Sequence, residues 1–538
     1  MPEDFTQELK PAPRRGRRLT LFIAILGLIL AYFVAEMVIS GEPRNLVFMA
    51  LGCGGAAAIV IILNDWRMGL YLFFGWLFFE DFARKFLGNN MAIYFVKDAI
   101  VLFVYLSFFR ERRIHRKATL RPPFLMALLV LLWFAVGQVF NPGSTSVFYG
   151  FLGLKLYFLY MPLMYVGYAF VDREKDLRGF FRFSALLVLV VASLGIAQAV
   201  IGPTFLNPGT IQDDIRELST LYRVSPITGA VAYRPTSVFV SNGRFQNLVI
   251  ASWLIFLGYG GYLLLRVRVR RTLPFTTIGV LAAAAVMSTS RGVMMWCGGS
   301  SLVVLAAFVW GAPWKQNEAS RVVRSIQRIV LLAGLSIVLL AVIFPEQLNS
   351  RLAIYSETLS PYSTASELAW RTQDYPLKNF LAAFNTRCWI YGCGTGTASL
   401  GIQYVSRILH APPTGIGVEN GYGQLVIEFG VLGLLLWIVL GASIAMSAWK
   451  IVKRLRGSPW FPIAFVIFWF AFLVFFPMGY NSVSFYQDFL INSYFWVLVG
   501  ILYRLPSLSV SEEVSTEPNF ASRFAGASSR VPAEPASV

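Results

Sequence analysis

A chain of 538 residues that is 57% hydrophobic and 15% aromatic, with only 14% charged residues and a mean hydropathy of +0.62, holds more apolar surface than one water-soluble core can bury. It reads as a membrane protein. The net charge of +18 would also suit a nucleic-acid binder, but the basic residues flank apolar segments instead of gathering on a polar face among aromatics, which argues against nucleic acid as a partner.

Crossing a bilayer takes roughly 20 apolar residues, and about fourteen segments of that order follow one another along the chain. The first, residues 19–39, comes after Arg14, Arg15, Arg17 and Arg18 and shows no small-x-small cleavage site, so it reads as a retained signal anchor with a cytoplasmic N-terminus, residues 1–18. Segments centred near Ala56, Phe74, Leu102, Leu132, Tyr160 and Val191 lead to a loop over about 203–243. Those near Leu257, Ala283, Val304 and Leu335 complete transmembrane helices 1–11, residues 19–345, and lead to the largest external loop, 346–418. Helices 12–14 follow over 419–503, centred near Leu435, Phe468 and Trp496, before a Ser-, Pro-, Ala- and Glu-rich tail, 504–538, that reads as disordered and cytoplasmic. The segments near Phe74 and Trp496 are short, so the expected count is 12–14.

With fourteen spans, 31 of the 46 Lys and Arg fall on the N-terminal side of the membrane, many in short dense loops such as RERRIHRKATLR, as the positive-inside rule requires. No Gly-Lys-Ser/Thr phosphate loop occurs and no inside segment could hold a nucleotide-binding domain, which excludes an ATP-driven pump.

Ionisable residues inside spans are costly and mark sites or struts. Lys97, Asp98, Lys155 and Glu428 lie at about one depth, predicting an ionic layer in which Lys155 pairs with Glu428 or Asp98. Outward cations sit above it: Arg84, Lys85, Arg234, Arg244, Arg291, and, in the large loop, Arg351, Arg371, Lys378, Arg387 and Arg407. Singly, each can snorkel to lipid headgroups; together they suit an anion such as a diphosphate.

Within the large loop, DYPLKNFLAAF spaces Leu377, Phe380, Leu381 and Phe384 as one face of an amphipathic helix starting at Pro376, lying on the membrane or packed on the loop. YGCGTGTASLG alternates Gly392, Gly394 and Gly396, either as turns or as a backbone cradle for an anion. Cys388 and Cys393 could close a small bridge, whereas Cys53 and Cys297 lie in apolar segments as packing residues. Glu419, where the loop re-enters the membrane, either caps the next helix or serves as a general base on a sugar hydroxyl. His410 competes for that role; the other histidine, His115, belongs to a basic inside loop. A transporter or flippase would use the same buried charges, but no internal repeat is apparent.

The pieces FEDFARKFLG, YFVKDAIVLFVYL, YGFLGLKLYFLYMPLMYV, STSRG, GCGTGT and ENGYGQLVIEFGVLGLLL resemble, in that order and over about residues 65–445, the bacterial O-antigen ligase and O-antigen polymerase superfamily, particularly its exopolysaccharide polymerase branch. The resemblance implies an all-α polytopic membrane protein, GT-C-like, whose large external loop carries short amphipathic helices. It implies a metal-independent glycosyltransferase, without a cofactor, at the outer face of the bacterial inner membrane. Its donor would be an undecaprenyl-diphosphate-linked glycan and its acceptor a glycan hydroxyl, with polysaccharide export and chain-length proteins as further partners. An O-antigen ligase is the alternative. By position, Arg291 in STSRG matches the family's Ser-Arg motif, and Lys155 in GLKLY stands where an arginine is often seen. Arg84 and Lys85 match the Arg-Lys pair of the branch, and Arg234 or Arg244 supplies the remaining outer-loop arginine. Many ligases carry His-Asn where this chain has Glu419 and Asn420, which makes a carboxylate, or else His410, the expected base and favours the polymerase.

Overall fold

The computed structural model describes residues 43–87, 91–114, 120–207, 221–225, 228–266, 272–313, parts of 327–340, and then 341–359, 374–402, 405–406, 410 and 417–516. The signal anchor at 19–39, His115, Arg371, Arg407 and most of the tail lie outside these residues.

The first helices are α1 (Pro43–Asn64), α2 (Trp66–Phe86), α3 (Met91–Ile114), α4 (Leu125–Val139), α5 (Val147–Phe158), α6 (Leu163–Phe170) and α7 (Glu174–Ile201). A small antiparallel hairpin, β1 (Tyr222–Val224) with β2 (Val231–Tyr233), precedes α8 (Asn242–Leu265), α9 (Thr272–Met287) and α10 (Arg291–Gly311). Beyond them come α11 (Pro345–Leu359), α12 (Tyr375–Ala382), α13 (Gly421–Arg454), α14 (Phe461–Phe475), the short α15 (Pro477–Asn481) and α16 (Ser484–Gln487), and α17 (Phe489–Thr516).

A bilayer offers no partner to backbone N–H and C=O groups, so long apolar stretches close their hydrogen bonds as helices. Among the described residues, seven helical stretches are long and apolar enough to cross a membrane: Val147–Phe170, Glu174–Ile201, Asn242–Leu265, Arg291–Gly311, Gly421–Arg454, Phe461–Asn481 and Phe489–Leu508. The protein is an all-α, multi-pass membrane protein.

The core runs along α6, α8, α14 and α17. Lipid gives helices no hydrophobic reason to associate, so close van der Waals contact must hold them together, and small residues permit it. A Cβ on Gly167 would stand 2.3 Å from the Val497 carbonyl oxygen, and one on Gly500 2.0 Å from that of Met164, so α6 and α17 touch backbone to backbone. At one end of the bundle, cations on several helices meet acids: Arg67 and Arg504 on Asp172, and Arg178 and Arg266 on Glu174. The opposite end carries the hairpin, α11 and α12.

Candidate functional site

Toward the hairpin end, α2 supplies EDFARK in helical register, so Glu80, Asp81, Arg84 and Lys85 fall on its buried side. The helix cannot expose them to water there, and each is met from a neighbouring element. Asp81 accepts from Arg84 Nη1 at 3.2 Å and from the backbone N–H of Val240 at 3.3 Å, and pairs with Arg244 at the start of α8. Arg244 Nε also reaches Asp488, between α16 and α17, at 3.4 Å. Glu80 takes Lys97 Nζ at 2.8 Å. Asp98 takes Lys155 Nζ at 2.5 Å and the Tyr160 hydroxyl at 2.9 Å. Tyr94 lies beneath three cations, with Lys97, Lys155 and Arg84 at 3.5, 4.1 and 5.2 Å from its ring centroid. Five cations and four carboxylates thus share one buried cluster, with one cation in excess. Lys85 donates to Thr236 Oγ1 at 3.0 Å and the Ser237 carbonyl at 2.8 Å.

The segment 233–241 joins this cluster to a second group of arginines. Gln198 on α7 accepts from the N–H groups of Thr236 and Ser237 at 2.8 and 2.6 Å, fixing the strip that carries Arg234. The turn between α9 and α10, which holds STSRG, is gripped from several sides. Arg351 on α11 donates to the carbonyls of Met287 at 3.2 Å, Ala199 at 3.2 Å, Tyr233 at 3.2 Å and Gln347 at 2.5 Å. Arg223 reaches the Thr289 carbonyl at 3.4 Å, and the Tyr355 hydroxyl that of Val286 at 3.0 Å. Ser290 caps α10 through the Val293 N–H, leaving Arg291 half-buried as its first residue. Arg351, expected as an outward cation, is therefore a clamp on backbone carbonyls. Burial holds Arg234 and Arg351 below the ordinary guanidinium value, with Tyr355 pulling the other way.

Glu428 departs from the expected ionic layer. Lys155 pairs with Asp98, and Glu428 is instead enclosed by the glycine-rich strip 392–399. Its carboxylate accepts from the N–H groups of Gly396 and Ala398, both at 3.1 Å, and from Ser399 Oγ at 2.7 Å. The anion cradle exists, and the anion in it is the protein's own. The reason lies two residues on, where α13 breaks at Gly430 (φ 71°, ψ −179°). The break frees the carbonyls of Ile427 and Glu428 and the N–H of Val431. Cys393 and Gly394 donate to the two carbonyls at 2.6 and 3.1 Å, and the Trp389 carbonyl takes Val431 N–H at 2.9 Å. The strip is pinned on its other side to α4 and α5: Thr395 Oγ1 donates to Ala135 at 2.7 Å, and a Cβ on Gly396 would stand 1.9 Å from the Tyr149 carbonyl. Part of the large loop thus returns among the helices, which irregular backbone can do only where protein satisfies it. Cys388 and Cys393 are bridged at its entrance.

Glu419 is exposed and accepts from the Tyr375 hydroxyl at 2.7 Å; the cap of α13 is Asn420, whose Oδ1 takes Gly423 N–H at 2.9 Å. The capping alternative for Glu419 falls accordingly. Tyr375 opens α12, the amphipathic helix expected from Pro376, where Leu377 and Leu381 remain exposed while Phe380 and Phe384 pack inward. His410 is exposed, in a left-handed conformation with φ 49°. The two halves of the site meet through neighbouring residues: Gln487 takes Leu400 N–H at 2.9 Å and donates to Ser399 at 3.1 Å, while Asp488 holds Arg244.

The cluster includes Glu80, Asp81, Asp488 and Tyr94, none of them picked out as site residues from the sequence. The signal available was EDFARK itself, whose acids share a helical face with its cations. No family model matches the chain, and no curated protein does.

Proposed function

We propose that this protein is a membrane glycosyltransferase that transfers an undecaprenyl-diphosphate-linked glycan to a hydroxyl of an acceptor glycan at the outer face of the inner membrane, polymerising repeat units. The observation that carries this reading is the gathering of Arg84, Lys85, Lys97, Lys155 and Arg244 with one cation in excess, joined by the 233–241 strip to Arg234 and the α9–α10 turn bearing Arg291. In a low-dielectric site such cations stabilise a diphosphate far more than they would in water. Glu419, oriented by Tyr375, would take the proton of the acceptor hydroxyl as its oxygen bonds to the anomeric carbon. The bond from that carbon to the diphosphate oxygen breaks, and the diphosphate leaves with the electron pair, held by the cations. His410 is the competing base. The GT-C-like description and an O-antigen ligase activity belong to the same reading.

A test follows from Glu419→Ala. Mass spectrometry of extracted lipid-linked oligosaccharides should show single repeat units accumulating in the mutant and in a deletion strain. Normal long polymer in the mutant removes Glu419 from catalysis, and unchanged glycans in the deletion strain sink the transferase. Long lipid-linked chains accumulating instead would identify a ligase. One observation favours a flippase as the second reading: α13 is discontinuous, as transporter helices often are at their binding sites. Movement of a fluorescent lipid-linked glycan across liposomes containing the purified protein would support it.

A further inference from the structure

At the basic end of the bundle, the last turns of α10 and α13 hold two tryptophans face to face. Trp310 and Trp449 stack with centroids 5.7 Å apart and planes 10° from parallel. Each ring carries a cation: Arg456 lies 4.4 Å from the Trp310 centroid and Lys453 5.7 Å from that of Trp449. The platform is built in. Gly457 N–H donates to the Gly311 carbonyl at 2.8 Å, tying the turn after α13 to the end of α10, and Trp449 rests on Phe468 at 5.0 Å.

On the α13 side the charge is one-sided. Lys450, Lys453, Arg454 and Arg456 are all exposed, and the sequence holds no acid between Glu428 and Asp488. Among the described residues none of these four is in an ion pair, whereas Arg67, Arg178, Arg266 and Arg504 at the same end all meet Asp172 or Glu174. A ring face attracts a cation but offers no lone pair to its N–H groups. Along the same two helices, Leu302, Leu305 and Val309 of α10 and Leu435, Val439 and Met446 of α13 are exposed, forming apolar flanks that lead up to the cations.

We propose that Arg456 and Lys453, seated on the Trp310–Trp449 stack, form a binding site for the phosphate headgroup of an acidic phospholipid, whose chains lie along the exposed faces of α10 and α13. The cation–ring contacts preorganise the donors, so the phosphate completes their hydrogen bonding, and the tryptophans fix the headgroup at the membrane interface. The site is separate from the cluster around Asp81 and does not depend on the proposed reaction.

Native mass spectrometry of the full chain, exchanged from vesicles of equal phosphatidylglycerol and phosphatidylcholine, tests it. The wild type should retain phosphatidylglycerol preferentially, and Lys453→Gln with Arg456→Gln should reduce that preference roughly 30-fold, the effect of two cations at a membrane surface. Lys453→Arg with Arg456→Lys should keep it, and Arg504→Gln, whose native cation is acid-paired, should not alter it. Retention unchanged in the double Gln variant overturns the proposal, as does displacement of the lipid by inorganic phosphate, which would mean that the site takes a free anion.

Discussion

Glu428→Gln replaces one carboxylate oxygen by an amide NH2 inside a cradle that offers the acid two backbone N–H groups and a hydroxyl. The NH2 confronts the Gly396 N–H at the Oε2 position or the Ala398 N–H at Oε1, where the Ser399 hydroxyl can turn to accept from it, so either orientation strands one backbone donor. One buried N–H then lacks an acceptor, at about 1–3 kcal/mol, and the two remaining bonds lose their charge assistance. Together these weaken the closed strip by ~3 kcal/mol relative to its opened form, which corresponds to roughly 150-fold faster opening exchange. Hydrogen exchange over 392–400, read by mass spectrometry on protein in nanodiscs, measures it directly. Lys155→Met provides the contrast. It strands Asp98 but removes no bond to the cradle, so exchange at Gly396 and Ala398 should rise no more than it does across the bundle as a whole. Unchanged exchange in Glu428→Gln, or a strip loosened selectively in Lys155→Met, would refute the assignment of Glu428 to the strip.

Gly430→Ala should be more damaging, since a Cβ there would stand 2.2 Å from the Ile390 carbonyl at a backbone conformation reserved for glycine; loss of monodisperse protein by size-exclusion chromatography is the expected readout. Lys155→Met alone should destabilise by ~3–5 kcal/mol because it leaves Asp98 unpaired in the bundle, and adding Asp98→Leu should restore much of the loss in a detergent melting curve. Arg351→Met removes donors to four carbonyls, so proteolysis or exchange should rise at 286–291 while the cluster around Asp81 stays protected. Tyr375→Phe should lower glycan polymer several-fold, less than Glu419→Ala does, because it takes away the group that orients the carboxylate and not the carboxylate itself.

The helical, multi-pass character was legible from apolar run lengths, because a bilayer forces backbone satisfaction within each segment. The partner of Lys155 was only half legible: opposite charges at one depth in lipid pair with each other, but depth alone left Asp98 and Glu428 as equal candidates. Glu428 was misread by the same logic. Its partners are backbone N–H groups some thirty residues upstream, and backbone donors carry no residue-type signature beyond the glycines that let them approach. Glu80, Asp81 and Asp488 were overlooked because acids near the ends of apolar segments are ordinarily solvated; only the packing of α2 against the strip 233–241 and the α16–α17 junction puts them inside. Arg351 looked like every other loop arginine, and its four carbonyl partners come from four separate places in the chain.

The break in α13 also bears on how the molecule is put together. The groups that complete the helix at Ile427, Glu428 and Val431 come from residues 389–398, which precede it in the chain and are held in turn by α4 and α5. A hairpin of α13 and α14 synthesised alone would therefore enter a bilayer with bare carbonyls and an uncompensated carboxylate. Its insertion has to wait for, or be guided by, a strip already docked on the preceding helices, so the chain from α13 onward is not an autonomous module but the last piece of an ordered assembly.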